Sequence, residues 1–160
     1  MSEDHRLQIS FVVNGRPVDT EIEPHLLLLD LLRDKLALKG AKRSCDMQVC
    51  GACTVLVDGN PVSSCTYLAF EARGTDVTTI EGLADGEKLH PLMEAFIDNA
   101  GLQCGFCTPG MILAAKSLLD LNPRPSVEEV KEYMRGNLCR CTGYKKILES
   151  IEDAAQRMQG

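Results

Sequence analysis

The sequence predicts an α+β protein with a strand-rich N-terminal half and a helical C-terminal half. Apolar residues alternate with polar ones in short segments of the first half, and they recur at helical spacing in the second. The 8 cysteines fall into two sets, one in each half. Composition changes near residue 80, so the predicted boundaries are a first domain at residues 1–80, a linker at 81–88 and a helical domain at 89–160.

A hairpin and one helix are predicted at the start of the chain. Alternating apolar positions over residues 7–13 indicate a half-buried strand, and Asn14-Gly15 is typical of a tight hairpin turn. A returning strand follows over residues 18–22. Strong helix formers and apolar residues at helical spacing then predict one amphipathic helix over residues 26–38, which Lys39-Gly40 ends.

Three further strands complete the first domain. Thr54–Val57 is a short β-branched segment, Asp58-Gly59 predicts a tight turn, and residues 61–65 return beside it. Residues 76–80 form the last predicted strand. Two strands, a helix across them and then more strands describe a β-grasp domain, the fold of plant-type ferredoxins.

Four helices, pairwise antiparallel, are predicted for the second domain as a four-helix bundle. The first carries an apolar face of Leu92, Met93, Phe96 and Ile97. The second begins at Thr108-Pro109 and stops at Asn122-Pro123, the third opens with the capping box Ser126 to Glu129 and closes at Gly136, and the last follows Thr142-Gly143.

The first cysteine set predicts an iron–sulfur site. Cys45, Cys50 and Cys53 have the spacing C-x4-C-x2-C, and Cys65 supplies a fourth thiol, which matches the plant-type pattern for a [2Fe–2S] cluster. Gly51-Ala52 has little or no side chain, so the backbone can pass close to the sulfides.

The second set lies at predicted helix ends. Cys104 and Cys107 precede the second helix, and Cys139 and Cys141 lie between the third and fourth. Zinc ligand pairs usually leave two to four residues between cysteines, so the C-x-C pair favours iron–sulfur here too. Zinc or plain buried thiols remain the alternatives for both sets.

Composition and charge exclude several other classes. The start of the chain is polar and acidic with no apolar leader segment, and no apolar run could span a bilayer, so we expect a reducing cytoplasm rather than disulfides. The net charge of −6 and the absence of Trp disfavour nucleic acid as a partner. We interpret His5, His25 and His90 as surface residues rather than ligands. No catalytic constellation is evident on this chain.

Three stretches together resemble one family. They are Cys45 to Thr54 with Cys65, Gln103-Cys-Gly-Phe-Cys-Thr-Pro-Gly-Met111, and Gly136-Asn-Leu-Cys-Arg-Cys-Thr-Gly-Tyr144. These stretches are similar to those of the small iron–sulfur subunit of the molybdenum hydroxylases, the group of xanthine dehydrogenase, aldehyde oxidoreductase and carbon monoxide dehydrogenase. The resemblance implies two [2Fe–2S] clusters on this chain, one per domain, with molybdopterin on a large subunit and FAD on a medium subunit.

The same resemblance implies roles for single residues. Gln103 would contact the pterin, and Cys141 would hydrogen-bond to it while it ligates iron. The family often has glycine at the positions of Ser44 and Gln48. Because a residue with a side chain costs about 1–3 kcal/mol where φ must be positive, we expect the loop to differ locally there.

The predicted function is electron transfer within a molybdenum-dependent oxidoreductase whose catalytic centre lies on another chain. Electrons would pass between the molybdopterin and the flavin through the two clusters, in a cytoplasmic assembly expected to be a dimer of heterotrimers. One alternative is a free-standing ferredoxin-type carrier, although such a carrier would not need the second domain. Another is a zinc-stapled interaction module.

Overall fold

The computed structural model describes residues 6–159 and has an α+β fold with one mixed sheet and five helices. Among these residues, none of the helices has the length and apolar character needed to cross a membrane. His5, interpreted as a surface residue, lies outside the described residues. The strands are β1 (Leu7–Val13), β2 (Arg16–Ile22), β3 (Thr54–Val57), β4 (Asn60–Ser63) and β5 (Asp76–Thr78).

The sheet has the strand order β2-β1-β5-β3-β4. β1 and β2 are antiparallel around a turn in which Asn14 has φ 51° and Gly15 has φ 73°. β3 and β4 are antiparallel around Asp58 and Gly59, which have φ 47° and 78°. β5 lies between the two hairpins, parallel to β1 and antiparallel to β3. Both predicted hairpins are therefore confirmed.

The first helix is shorter than predicted. Helix α1 begins at Leu28–Asp30 and continues as a π-helical segment over Leu31–Lys35, so the prediction of one helix over residues 26–38 is wrong in extent. The N–H of Leu36 donates to the carbonyl of Leu31 at 3.1 Å, a π-type bond, and Ala37 then turns the chain at φ 57°.

Burial explains the apolar character of α1. Leu28, Leu29, Leu31 and Leu32 are all fully buried, whereas Asp34 and Lys35 are exposed, so the segment has the buried and the solvated residues of an amphipathic helix. Arg33 donates hydrogen bonds to the carbonyls of Lys39 and Ala41 at 2.9 and 2.6 Å. These bonds fix the chain as it leaves the helix for the cysteine loop.

Four helices follow the sheet, as predicted. His90 caps the first of them by accepting a hydrogen bond from the N–H of Leu92, and the predicted capping box between Ser126 and Glu129 is present. Ile97 was predicted on the apolar face but is 58% exposed. The helices are α2 (Pro91–Asp98), α3 (Thr108–Leu121), α4 (Val127–Tyr133) and α5 (Lys145–Arg157).

The structure has two buried cores, and α3 belongs to the second of them. One joins the sheet and α1, and the other joins α2 to α5. Helix α3 also packs on β3 and β4, which explains why its buried residues are not confined to one face. The hydroxyl of Ser117 on α3 donates to the carbonyl of Gly59 at 2.9 Å. The strand-rich and helical parts are thus in direct contact.

Candidate metal centres

The first cysteine set lies where the loop after α1 meets the sheet. Cys45 and Cys50 belong to the loop, Cys53 immediately precedes β3, and Cys65 follows β4. The side chain of Cys45 contacts that of Cys50, and the side chain of Cys53 contacts that of Cys65. Cys53 and Cys65 are buried, whereas Cys45 and Cys50 are half-buried. The four thiols therefore come as one inner and one outer pair.

Backbone N–H groups surround the outer pair. The N–H groups of Val49 and Cys50 each lie 3.4 Å from the sulfur of Cys45. Backbone hydrogen bonds from Met47, Val49 and Cys50 lower the pKa of Cys45 to about 6. The thiolate, the form that binds iron, is therefore stabilised before any metal is bound.

Burial has the opposite effect on Cys53 of the inner pair. It raises the pKa of Cys53 to about 11. A thiolate at this position needs the positive charge of a metal to replace the lost water.

The loop reaches this geometry through left-handed backbone. Asp46, Gln48 and Gly51 have φ 53°, 60° and 70°. The loop therefore keeps the left-handed conformation at Gln48 and accepts a side chain there. The side-chain oxygen of Gln48 accepts a hydrogen bond from the Thr66 hydroxyl at 3.3 Å. Ser44 is not among the residues with positive φ in the described part of the chain.

The second set is assembled from two turns. Cys104 and Cys107 precede α3, and Cys139 and Cys141 lie between α4 and α5. The sulfurs of Cys104 and Cys141 are 3.5 Å apart, and the side chain of Cys107 contacts that of Cys139. All four line a cavity of about 410 Å³ that Cys50 of the first set also reaches.

The second set divides differently from the first, because each contacting pair contains one thiol with a raised pKa and one with a lowered pKa. Burial, followed by the neighbouring Cys139, raises the pKa of Cys107 to about 12. The pKa of Cys104 is lowered, chiefly by a hydrogen bond from the backbone N–H of Phe106. Cys104 and Cys141 are exposed. This pair therefore lies at the protein surface.

The paired arrangement distinguishes between metals. A [2Fe–2S] cluster is held by four thiolates, two on each iron, whereas structural zinc gathers four ligands around one ion. Two thiol pairs in each set fit a binuclear cluster. The cluster would add the ability to accept and release one electron at a time.

Gln103 is exposed beside Cys104. Helix α3 begins at Thr108 with Cys107 at its N-cap, so Gln103 does not cap this helix. The structure thus brings Gln103 to the surface occupied by Cys104 and Cys141.

Two residues near the second set were missed by the sequence prediction. The hydroxyl of Thr142 donates to the sulfur of Cys139 at 3.2 Å, and the N–H of Cys139 donates to the hydroxyl of Tyr144 at 2.9 Å. Tyr144 has φ 69° although it is not glycine. The signal was a pair of hydroxyl residues within five positions of a ligand cysteine.

A further contact joins the two sets. The N–H of Leu138 donates to the carbonyl of Cys50 at 2.9 Å, and the buried side chain of Asn137 donates to the carbonyl of Gly51 at 3.2 Å. A Cβ on Gly51 would lie 2.5 Å from Asn137, so glycine is required for this approach as well as for positive φ. The cysteine loops are thus hydrogen-bonded to each other.

Comparisons with known proteins agree with this geometry. Residues 11–80 match the 2Fe-2S iron-sulfur cluster binding domain family, and residues 79–152 match the [2Fe-2S] binding domain family. Each match contains one complete cysteine set. The chain therefore carries two iron–sulfur binding domains.

Similar full-length proteins define the family further. The chain is 47% identical to the nicotine 6-hydroxylase small subunit of Paenarthrobacter nicotinovorans, over 96% of this chain and 92% of the relative. It is 44% identical to the nicotinate dehydrogenase small FeS subunit of Eubacterium barkeri, over 96% and 98%. The crystal structure of quinoline 2-oxidoreductase from Pseudomonas putida 86 matches with a TM-score of 0.92 and 46% identity, over 96% of both chains.

These similarities extend over almost the whole chain and well above the level at which fold alone is shared. The chain belongs to the family of small [2Fe–2S] subunits of the molybdenum hydroxylases. It is thus an electron-transfer component of an oxidoreductase complex.

Proposed function

We propose that the chain relays electrons between a molybdopterin centre on a large subunit and FAD on a medium subunit. Cys104, Cys107, Cys139 and Cys141 hold the cluster nearer molybdenum, and Cys45, Cys50, Cys53 and Cys65 hold the one nearer flavin. The observation that carries this proposal is the presence of two sets of paired thiols whose loops touch through the 2.9 Å bond between Leu138 and Cys50. A chain of covalent bonds and one hydrogen bond then links ligands of the two sets.

The exposed groups of the second set support its position next to the large subunit. Cys104, Cys141 and Gln103 share one exposed edge. Phe106 and Leu138 beside it are 45% and 48% exposed, and a partner subunit that covers this edge would bury both. In this arrangement Gln103 contacts the pterin, and Cys141 ligates iron while it hydrogen-bonds to the pterin.

The first set has an exposed apolar tip of its own. Met47 and Val49 in the cysteine loop are 67% and 54% exposed. We assign this tip to the medium, FAD-binding subunit. The complete assembly is proposed to be a cytoplasmic dimer of heterotrimers, in line with the small-subunit names of the relatives.

The division of the chain belongs to the same proposal. Residues 1–80 would form a β-grasp domain, residues 81–88 a linker, and residues 89–160 a four-helix bundle domain. The two family matches, which meet at residues 79 and 80, and the two separate buried cores support it. Ile80 and Leu83 pack against the helical core, so the linker is anchored at its start.

The order of the relay is tested with the assembled complex. In a complex that carries Cys45→Ala, electrons from substrate should still reach the helical-domain cluster but should fail to reach flavin. Rapid-freeze electron paramagnetic resonance follows the reduction of both centres. Normal flavin reduction in a complex confirmed to lack the first cluster would contradict the order.

A further inference from the structure

The sulfur of Cys139 receives a hydrogen bond of a kind that differs from those at the first set. Thr142 donates to it from a side-chain hydroxyl at 3.2 Å. The donors to the Cys45 sulfur, by contrast, include the backbone N–H groups of Val49 and Cys50, which cannot be removed by shortening a side chain. The hydroxyl of Thr142 is therefore a donor to one cluster ligand that a single side-chain substitution can remove.

The direction of this hydrogen bond is fixed by its surroundings. The Thr142 oxygen accepts a hydrogen bond from the N–H of Tyr144 at 3.2 Å, and an N–H group can only donate. The single hydroxyl proton is therefore left free to point at the sulfur. A ligating thiolate carries no proton and can only accept, so the hydrogen bond runs from oxygen to sulfur.

Tyr144 holds both ends of this arrangement. Its N–H binds the Thr142 oxygen, and its hydroxyl accepts the N–H of Cys139 at 2.9 Å. Its left-handed backbone, with φ 69°, lets one residue face Thr142 and Cys139 together. The hydroxyl of Thr142 and the sulfur of Cys139 are thus held in a fixed geometry.

A donor at a ligand sulfur favours the reduced cluster. Reduction adds negative charge to the cluster and its sulfurs, and a hydrogen bond to a more negative acceptor is stronger. Hydrogen bonds to the sulfurs are among the factors that set iron–sulfur potentials. The donor therefore shifts the cluster potential upward.

We infer that Thr142 is a positioning residue that raises the reduction potential of the helical-domain cluster relative to that of the first cluster. The inference rests on the proposed function, because it requires both clusters to be present. The hydroxyl makes the helical-domain cluster a better electron acceptor than the same cluster would be without it. Electron uptake from a neighbouring centre is thereby favoured at that cluster.

The test is a redox titration followed by electron paramagnetic resonance on the full chain, purified with its native partners. Thr142→Val keeps the side-chain shape but removes the donor, and Thr142→Ser restores a hydroxyl. In Thr142→Val we expect the reduced-to-oxidised ratio of the helical-domain cluster, at a fixed potential, to fall by about three- to tenfold. A tenfold change corresponds to about 59 mV for a one-electron couple. The first cluster is the internal control and should not move, and Thr142→Ser should titrate close to the unsubstituted protein.

An unchanged potential in a fully loaded Thr142→Val protein would overturn the inference, and so would a Thr142→Ser protein that shifts as far as Thr142→Val. If Thr142→Val fails to retain the cluster, Thr142→Ala takes its place in the titration. Loss of the cluster in both would mark the hydroxyl as structural and would also overturn it. If the unsubstituted protein shows fewer than two cluster signals, that separate result counts against the proposed function itself.

Discussion

The N–H of Leu138 donates a 2.9 Å hydrogen bond to the carbonyl oxygen of Cys50. Cys50 belongs to the first thiol set, and Leu138 immediately precedes Cys139 of the second. Because both partners are backbone groups, the contact depends on how closely the two loops approach and not on the side chain of Leu138.

The two clusters should bind independently despite this contact. Cys50→Ala removes a ligand of the first cluster but keeps the carbonyl that accepts from Leu138. We expect that cluster to be lost and its loop to become disordered, because a small domain of this size is marginal without its metal. The helical domain should keep its own cluster. Iron content should fall to about half, with one electron paramagnetic resonance signal left on reduction; loss of both signals would show that the halves do not fold independently.

Gly110 should be intolerant of any side chain. A Cβ at this position on α3 would lie 2.2 Å from the carbonyl oxygen of Gly51. Gly110→Ala is expected to lower the free energy of unfolding by about 1–3 kcal/mol, since backbone must move to make room. Gly136→Ala is the matched control, because a Cβ there meets nothing within 4 Å, and it should change stability by no more than about 0.5 kcal/mol. Equal urea midpoints for the two variants would show that the loops are not tightly packed at Gly51.

Gln103 is expected to affect cofactor retention and not cluster binding. Gln103→Ala should leave both clusters in place, because Gln103 is exposed and is not a ligand. Losing one hydrogen bond to the pterin should cost about 0.5–1.5 kcal/mol of binding free energy. Molybdenum content and turnover of the assembled complex measure the effect. Unchanged values for both would remove Gln103 from the pterin site.

His90 should make stability depend on pH. Its ring accepts a hydrogen bond from the N–H of Leu92, and burial, followed by the nearby charge of Lys116, lowers its pKa, while Asp120 opposes the shift. The folded state therefore binds fewer protons than the unfolded state, in which the pKa is about 6.5. The contribution of His90 is complete above about pH 6.5 and is lost as the pH falls through the lower folded-state pKa.

The comparison that isolates this effect uses His90→Asn. Asparagine is a good N-cap residue but does not titrate, so it keeps an acceptor for Leu92. The unsubstituted protein should lose more thermal stability than the variant between about pH 7.5 and pH 5.5. Parallel pH profiles of melting temperature would contradict the role of His90.

The sequence predicted the two hairpin turns of this structure but not the end of its first helix. The hairpin turns at Asn14-Gly15 and Asp58-Gly59 follow from local backbone preferences, and both are present. The helix expected over residues 26–38 was too long, because a π-type bond to Leu31 and the left-handed Ala37 end it early. Helical spacing alone does not reveal either feature.

The candidate site, too, was predicted only in part from the sequence. Ligand spacing was sufficient to place the eight cysteines in two sets, since each set falls mostly within one loop or one pair of turns. The roles of Asn137 and Gly110 were not predictable, because both depend on the approach of Gly51 from another part of the chain. Thr142 and Tyr144 lie close to the ligands in sequence, but their donor and acceptor directions required coordinates.

The most direct test of two [2Fe–2S] clusters is the quantification of iron, acid-labile sulfide and zinc in the anaerobically purified full chain, with Mössbauer spectroscopy of an iron-57 sample. Two sets of paired thiols predict about four irons and four sulfides per chain, all in binuclear clusters, and no stoichiometric zinc. Half that iron content, or one zinc per cysteine set, would contradict the account.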